Sequence, residues 1–129
     1  MSEEVVLVAD DDDDILLLVT TRLRRDGFDV VAARTGDEAL ALAKKRRPAV
    51  AVLDIGMPGL DGLEVLQRIR ADADLAATRV LLLTAKVQES DVRRGYDAGA
   101  DAYVRKPFSP ADLSARVREL LDRSQPGAA

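Results

Sequence analysis

The chain of 129 residues contains no cysteine and no histidine. Without cysteine there is no disulfide framework, no thiolate metal site and no cysteine nucleophile. Without histidine the chain lacks the side chain that most often serves as a general base, and it cannot carry a phosphohistidine of its own.

The charge balance is acidic, with a formal net charge of −4 at pH 7. A nucleic-acid-binding domain normally presents a basic surface, so we expect no direct nucleic-acid binding by this chain. Met1 to Glu4 are acidic rather than basic and lead into a short apolar run, so we expect neither a signal peptide nor a membrane span. With 47% hydrophobic residues, the length fits one soluble domain, which we expect to be cytoplasmic.

Apolar runs alternate with helical patterns five times along the chain. The predicted strands are Val5 to Ala9, Asp29 to Ala33, Ala49 to Leu53, Arg79 to Leu83 and Ala102 to Val104. The predicted helices are Asp13 to Asp26, Thr35 to Arg46, Asp61 to Arg70, Ser90 to Ala98 and Pro110 to Asp122. Capping boxes support the second and third helices, and Ser109 precedes the fifth as its N-cap. This alternation predicts an α/β fold, a doubly wound parallel sheet with helices on both faces.

The first predicted helix has an apolar stripe that we expect to face the sheet. Its members are Ile15, Leu18, Val19 and Leu23. They recur at the spacing of one helical face, which is typical of a surface helix packed on a core.

Polar residues stand where four of the predicted strands end. Asp10 to Asp14 are five consecutive aspartates that begin where the first apolar run stops. Asp54, Thr84 and Lys106 follow three later runs. An acidic run alone is typical of a solvated patch. Because the carboxyl ends of parallel strands share one edge, where α/β proteins bind ligands, these residues together predict one site. Carboxylates facing a hydroxyl and an ammonium suit a hard cation and a phosphoryl group.

Four segments of the sequence resemble the receiver domain of two-component response regulators. They are Leu7 to Ile15, Leu53 to Gly62, Leu83 to Ala85 and Gly99 to Phe108, in this order. The resemblance covers about residues 4 to 122, and we expect residues 123 to 129 to form a loose tail. It implies a flavodoxin-like (βα)5 fold with five parallel strands in the order 2-1-3-4-5.

The resemblance also implies a role for each polar residue at the strand ends. Asp54 would accept the phosphoryl group, and Lys106 would contact a phosphoryl oxygen. Asp11 would bind a divalent cation directly and Asp10 through water, together with Asp54 and the backbone carbonyl of Gly56. Mg²⁺ is the expected cation, and Mn²⁺ fits the same oxygen ligands.

A switch pair is implied as well. Thr84 would donate its hydroxyl to the phosphoryl group, and Tyr103 would rotate into the vacated space. The change would reach the face formed by the fourth predicted helix, the fifth strand and the fifth predicted helix. A cis peptide before Pro107 would aim Lys106 inward. Ordinary structural roles remain open: a β-branched strand residue for Thr84, a half-buried strand tyrosine for Tyr103 and an ion pair for Lys106.

A phosphorylation-activated signalling switch is the function that the resemblance implies. A sensor histidine kinase or a histidine phosphotransfer protein would supply the phosphoryl group. The chain would not be a conventional enzyme, although it would assist its own phosphorylation and dephosphorylation. A phosphohydrolase of the haloacid dehalogenase type also uses an aspartyl phosphate, but it needs a second carboxylate where Gly56 stands. An unphosphorylated receiver-like scaffold is the third alternative.

Mixed charges in the last part of the sequence leave the oligomeric state open. They are Glu89, Asp91, Arg93, Arg94, Asp97, Asp101, Arg105, Arg116 and Arg118. Such charges are typical of a solvated face. The run from Gly95 to Arg118 also resembles receivers attached to winged-helix DNA-binding domains. The alternative to a solvated face is therefore a two-fold homodimer in which this charged surface contacts its own copy. The chain is either a stand-alone receiver or a piece of a longer regulator.

Overall fold

A computed structural model of the protein describes residues 4–85, 93 and 96–124. One parallel sheet contains β1 (Val5–Ala9), β2 (Asp29–Ala33), β3 (Val50–Asp54), β4 (Arg79–Thr84) and β5 (Ala102–Arg105). The strand order is β2-β1-β3-β4-β5, which confirms the flavodoxin-like doubly wound topology. Ala9 pairs with both Ala33 and Leu53, and Asp54 pairs with Leu83. The carboxyl ends of the central strands therefore lie side by side.

Four α-helices are described, and a short 3₁₀ helix follows the third. They are α1 (Asp13–Arg25), α2 (Gly36–Arg46), α3 (Gly62–Ala71), the 3₁₀ helix (Ala73–Leu75) and the C-terminal helix (Pro110–Ser124). The predicted helix from Ser90 to Ala98 lies largely outside the described residues. Among the described helices, none combines the length and apolar content needed to cross a bilayer.

Side chains near the helix starts satisfy backbone N–H groups as the sequence predicts. Thr35 Oγ1 accepts a hydrogen bond from Glu38 N, and Asp61 forms a complete capping box with Glu64. The C-terminal helix continues to Ser124, so the loose tail predicted from residue 123 is wrong for its first two residues. Once begun, a helix continues at one hydrogen bond per added residue, and the sequence has no breaker before Pro126. Residues 125–129 lie outside the described part of the chain.

Alternate strand residues point to opposite sides of the sheet, and both faces of the sheet are covered by helices. One cluster joins the sheet to α2 and α3, and it contains Leu7, Ala9, Ala33, Ala39, Leu40, Ala43, Ala51, Leu53, Leu63, Val65, Leu66, Ile69, Val80 and Leu82. The other joins the sheet to α1 and the C-terminal helix, and it contains Val6, Val8, Leu16, Val19, Leu23, Val30, Val50, Val52, Leu81, Leu83, Leu113, Val117, Leu120 and Leu121. Near-continuous apolar strands are what a doubly covered parallel sheet requires.

The buried face of α1 differs from the predicted stripe. Leu16 is 4% exposed, whereas Leu18, which we expected to be buried, is 51% exposed. The buried positions are Leu16, Val19, Thr20 and Leu23. The helix is therefore rotated relative to the predicted orientation, so that it packs on both the sheet and the C-terminal helix.

A polar cluster fixes the C-terminal helix to the end of α1. Asp26 Oδ2 accepts hydrogen bonds from Ser114 Oγ and from Arg22 Nε. Arg118 donates to the backbone carbonyl of Asp26, and its guanidinium carbon lies 4.4 Å from the ring centroid of Phe28. The hydrogen bonds from Ser114 and Arg22 hold the pKa of Asp26 below its ordinary value.

Candidate functional site

The ends of β1, β3 and β5 bring two carboxylates and one ammonium together. Asp10 follows β1, Asp54 is the last residue of β3, and Lys106 follows β5. Lys106 Nζ lies 2.9 Å from Asp10 Oδ2 and 3.3 Å from Asp54 Oδ1. The ion pair expected of Lys106 is therefore present, and the ammonium points into the site.

A third carboxylate completes an acidic cluster. One oxygen atom from each of Asp10, Asp11 and Asp54 lies within 4.8 Å of the others. Asp10 is 0% exposed and Asp54 is 5% exposed, whereas Asp11 faces solvent. Gly56 lies beside them, and its N–H is 3.4 Å from Asp54 Oδ1. Clustered carboxylate oxygens at an edge open to solvent are the donor set that Mg²⁺ and Mn²⁺ prefer, so these residues fit a hard divalent cation.

Burial and charge perturb the two ionisable groups at the centre of the site. Burial, together with the charge of Asp10, raises the pKa of Asp54 to about 6, although Lys106 opposes the shift. Burial alone would lower the pKa of Lys106, but its hydrogen bond to Asp10 and the charge of Asp54 raise it above the ordinary value. Crowded carboxylates repel one another, so a cation bound among them would relieve this repulsion.

The five consecutive aspartates have different surroundings. Asp10 Oδ1 accepts a hydrogen bond from Asp12 N at 2.9 Å, which fixes its carboxylate in the crevice. Asp12 is the N-cap of α1. Asp13 pairs with Arg34 at the surface, where both side chains are largely exposed. Of the run, Asp10 and Asp11 belong to the acidic cluster, while Asp12 to Asp14 form the solvated patch that is typical of such runs.

Thr84 and Tyr103, the residues of the predicted switch, lie on the adjacent strands β4 and β5. Thr84 ends β4 and is 5% exposed, and its carbonyl accepts a hydrogen bond from Lys106 N at 2.7 Å. Tyr103 is half-buried on β5 beside Leu82. The peptide bond between Lys106 and Pro107 is cis, as the resemblance implied.

Two of the charged residues considered for a dimer surface, Asp101 and Arg118, contact other parts of the same chain. Asp101 is turned inward, where its carboxylate lies 2.8 Å from Arg70 and 3.4 Å from Arg79. Arg118 lies on the α1 side of the C-terminal helix, against Phe28. Glu89, Asp91 and Arg94 lie outside the described residues. Arg93, Asp97, Arg105 and Arg116 are exposed.

Two glycines that sequence reasoning did not single out lie against the chain segment that runs from Asp54 to Leu60. Gly36 begins α2 and Gly62 begins α3, and both are buried. The sequence holds one signal of their role. Each directly follows a helix N-cap, Thr35 or Asp61, although glycine is a poor helix former.

Five parallel strands in this order, with an acidic crevice at their carboxyl ends, define the flavodoxin-like class of α/β domains. The sequence model of the response regulator receiver domain matches residues 6–118. The chain therefore belongs to the receiver domain family of response regulators. Members of this family are signalling switches rather than conventional enzymes, and response regulators work with histidine kinases in two-component systems.

Individual relatives agree with this assignment. The probable transcriptional regulator ycf27 of Porphyridium aerugineum is 43% identical over 123 residues, which cover 95% of this chain and 50% of that protein. The alkaline phosphatase synthesis transcriptional regulatory protein PhoP of Bacillus subtilis is 44% identical over 103 residues, 80% of this chain and 42% of that protein. The chain thus spans about half the length of these curated relatives.

The fold is also similar to solved receiver structures. The CheY-like response regulator receiver domain protein of Methanospirillum hungatei JF-1 superposes with a TM-score of 0.90 at 30% identity. The match covers 95% of this chain and 97% of that chain.

Proposed function

We propose that this chain is a phosphorylation-activated signalling switch in which Asp54 accepts a phosphoryl group in the presence of a divalent cation. One observation carries the proposal: the buried Asp54 carboxylate lies 3.3 Å from the Lys106 ammonium and within one cluster with Asp10 and Asp11. The phosphodonor is a sensor histidine kinase or a histidine phosphotransfer protein, since the chain itself has no histidine.

The transfer step needs an oxygen nucleophile and a nitrogen leaving group. A carboxylate oxygen of Asp54 attacks phosphorus in line, and a new P–O bond forms as the P–N bond of the phosphohistidine breaks. The imidazole leaves with the electron pair and takes up a proton. Lys106 stabilises the charge on the phosphoryl oxygens in the transition state and afterwards holds the acyl phosphate.

Cation binding is assigned to oxygen atoms at the same strand edge. Asp11, Asp54 and the backbone carbonyl of Gly56 are the direct ligands, and Asp10 acts through water. When bound, Mg²⁺ or Mn²⁺ neutralises charge on the transferring phosphoryl group and orients it. The acidic cluster supports this assignment, because its carboxylates outnumber the single ammonium of Lys106.

Thr84 and Tyr103 are the proposed switch. The phosphorylated Asp54 carries about −1.5 to −2 charges, which attract the Thr84 hydroxyl and let Tyr103 turn inward. The face that contains β5 and the C-terminal helix changes with it. Adjacent pairing of Leu82 with Tyr103 and of Thr84 with Arg105 supports this coupling. Phosphorylation shifts the population between two packings by as much as it favours one of them.

The output, the oligomeric state and the cellular location of the protein stay predictions. Since the relatives described above are named transcriptional regulators, we infer an output in transcription through a partner or another domain. A homodimer through the face of β5 and the C-terminal helix stays a prediction, which sedimentation of the phosphorylated protein decides. So does a cytoplasmic location, which fractionation of the source cells checks.

The function is tested by incubating the protein with acetyl phosphate and Mg²⁺. Intact mass spectrometry should show an adduct of about 80 Da that disappears in Asp54→Asn and without the cation. The matched control is Asp13→Asn, which removes an exposed carboxylate of the same acidic run and should keep the adduct. Wild type without an adduct would leave a receiver-like scaffold, and steady turnover of added phosphoesters would indicate a phosphohydrolase.

A further inference from the structure

We propose that Gly36, the first residue of α2, is a positioning residue that sets the loop between β3 and α3 for cation binding. The inference rests on the proposed function, because that loop carries Gly56, the proposed carbonyl ligand. Gly36 itself contributes no side chain to the site. Its role is to let α2 approach the loop more closely than any other residue would allow.

The two ends of the loop are anchored to neighbouring elements. At its start, Ile55 N donates to Leu83 O of β4 at 3.0 Å. At its end, Gly62 N donates to Ile55 O at 3.1 Å, so the loop closes on itself. A Cβ on Gly62 would lie 2.5 Å from the backbone oxygen of Asp54, so the first turn of α3 presses directly on the acceptor residue.

The later part of the loop, just before α3, lies against α2. A Cβ on Gly36 would lie 1.8 Å from the carbonyl oxygen of Leu60 and 2.6 Å from its carbonyl carbon. Carbon atoms in favourable contact are roughly 3.5–4.0 Å apart, so any side chain at position 36 must displace the loop or the helix. The two nearest atoms belong to the backbone and the third, Leu60 Cβ at 2.7 Å, is bonded directly to it, so none of them can rotate away.

The next residue of α2 makes a second contact with the same loop. Asp37 Oδ2 lies 2.7 Å from the position that a Cβ on Gly59 would occupy, and Gly59 has a φ of +73°. Consecutive residues of α2 therefore lie close to consecutive residues of the loop.

Helix formation does not explain a glycine at position 36. Glycine costs about 1 kcal/mol relative to alanine inside a helix, and the N-cap function is already provided by Thr35. Glycine is favoured instead where one backbone must approach another closely. The contact with Leu60 is such an approach.

Moving the loop should weaken cation binding, since Mg²⁺ requires near-octahedral oxygen ligands at about 2.0–2.1 Å. Gly36→Ala should therefore raise the Kd for Mg²⁺ by about tenfold, as changes to residues that support metal ligands commonly do. Asp10, Asp11 and Asp54 are all retained in this variant. A loss of affinity would thus report on the position of the loop.

Calorimetric titration with Mg²⁺ tests the inference, with urea unfolding measured on the same samples. Gly27→Ala is the matched control, because Gly27 has a φ of +99° and no atom within 4 Å of an added Cβ. This control should lower stability through backbone strain while leaving the Kd for Mg²⁺ unchanged. A merely structural role for Gly36 predicts that the two variants bind Mg²⁺ equally.

A second pair of variants decides the matter if Gly36→Ala does not fold. Leu60 is partly buried against the core cluster of α2 and α3, and Leu42 of α2 is partly buried against the same cluster. Leu60→Ala should raise the Kd for Mg²⁺ by up to about tenfold, as changes to residues that support metal ligands do. Leu42→Ala should leave the Kd for Mg²⁺ unchanged. If wild type binds Mg²⁺ and the loop variants bind it equally well, the inference is wrong and the proposed function stands. If wild type fails to bind Mg²⁺, both are wrong.

Discussion

Among single residues, Asp54 is the one whose ionisation most directly links the site to stability. Its pKa in the folded protein is about 6, above the value of about 3.9 for an unfolded chain. The folded state therefore binds the proton more tightly. This contribution to stability is fully present below about pH 4 and is lost as the pH rises through about 6.

Asp54→Asn should therefore stabilise the protein near pH 8 when no divalent cation is present. The expected gain in the free energy of unfolding is about 3 kcal/mol, since the pKa of Asp54 is raised by about two units and one unit corresponds to 1.36 kcal/mol. The gain should shrink towards about pH 4, where Asp54 is protonated in wild type as well. Urea unfolding at the two pH values measures both quantities.

Asp13→Asn is the control for this experiment, because Asp13 is exposed and outside the acidic cluster. Its pH dependence should follow that of wild type. Adding Mg²⁺ should stabilise wild type but not Asp54→Asn, because a ligand stabilises the state that binds it. A wild-type protein more stable than Asp54→Asn near pH 8 without cation would contradict the raised pKa.

Convergence of the polar residues could be predicted from the sequence, but their individual surroundings could not. Asp54 and Lys106 each follow an apolar run, and the shared edge of a parallel sheet brings them together. Asp12 and Asp13 are chemically identical neighbours in the sequence. Their separation into an N-cap and a partner of Arg34 depends on where α1 begins and on a residue from another strand end.

For whole elements, α1 illustrates where the sequence pattern becomes ambiguous. Residues 15–19 are all apolar, so several helical stripes pass through them equally well. The structure buries Leu16 and Val19 and exposes Leu18. The choice is made by packing against the C-terminal helix, whose position follows from tertiary structure and cannot be read from local periodicity.

The contact between these two helices should depend on Ser114. Its hydroxyl donates to Asp26 at the end of α1 and helps to lower the pKa of Asp26. A lowered carboxyl pKa contributes stability above the unfolded pKa, and this contribution is lost as the pH falls through the folded value. Ser114→Ala should therefore lower the urea midpoint at neutral pH, and the difference from wild type should narrow in acid.

Ser109→Ala is a matched control on the same helix. The Ser109 hydroxyl accepts a hydrogen bond from Asp112 N, so its loss should also destabilise the helix. That loss should not depend on the ionisation of Asp26. Equal pH dependence in the two variants would show that the hydrogen bond between Ser114 and Asp26 does not couple the helices.

At the scale of the whole molecule, topology was more predictable than packing. Five repeats of strand and helix predict a doubly wound sheet, and the resemblance supplied the order that the structure has. The close approach of Gly36 to Leu60 could not be derived in this way, because it joins elements distant in sequence. The short helix Ala73–Leu75 was also missed, since a single 3₁₀ turn has too few residues to show a period.

The most direct test of the central claim is a structure of the protein with Mg²⁺ and beryllium fluoride, a mimic of the phosphoryl group. We expect the beryllium fluoride group to be bound to Asp54, in contact with Lys106 and Thr84. We expect one cation to be bound by Asp11, Asp54 and the Gly56 carbonyl. A beryllium fluoride group on any other residue, or a cation bound away from Asp54, would contradict the assignment of Asp54 as the phosphoryl acceptor.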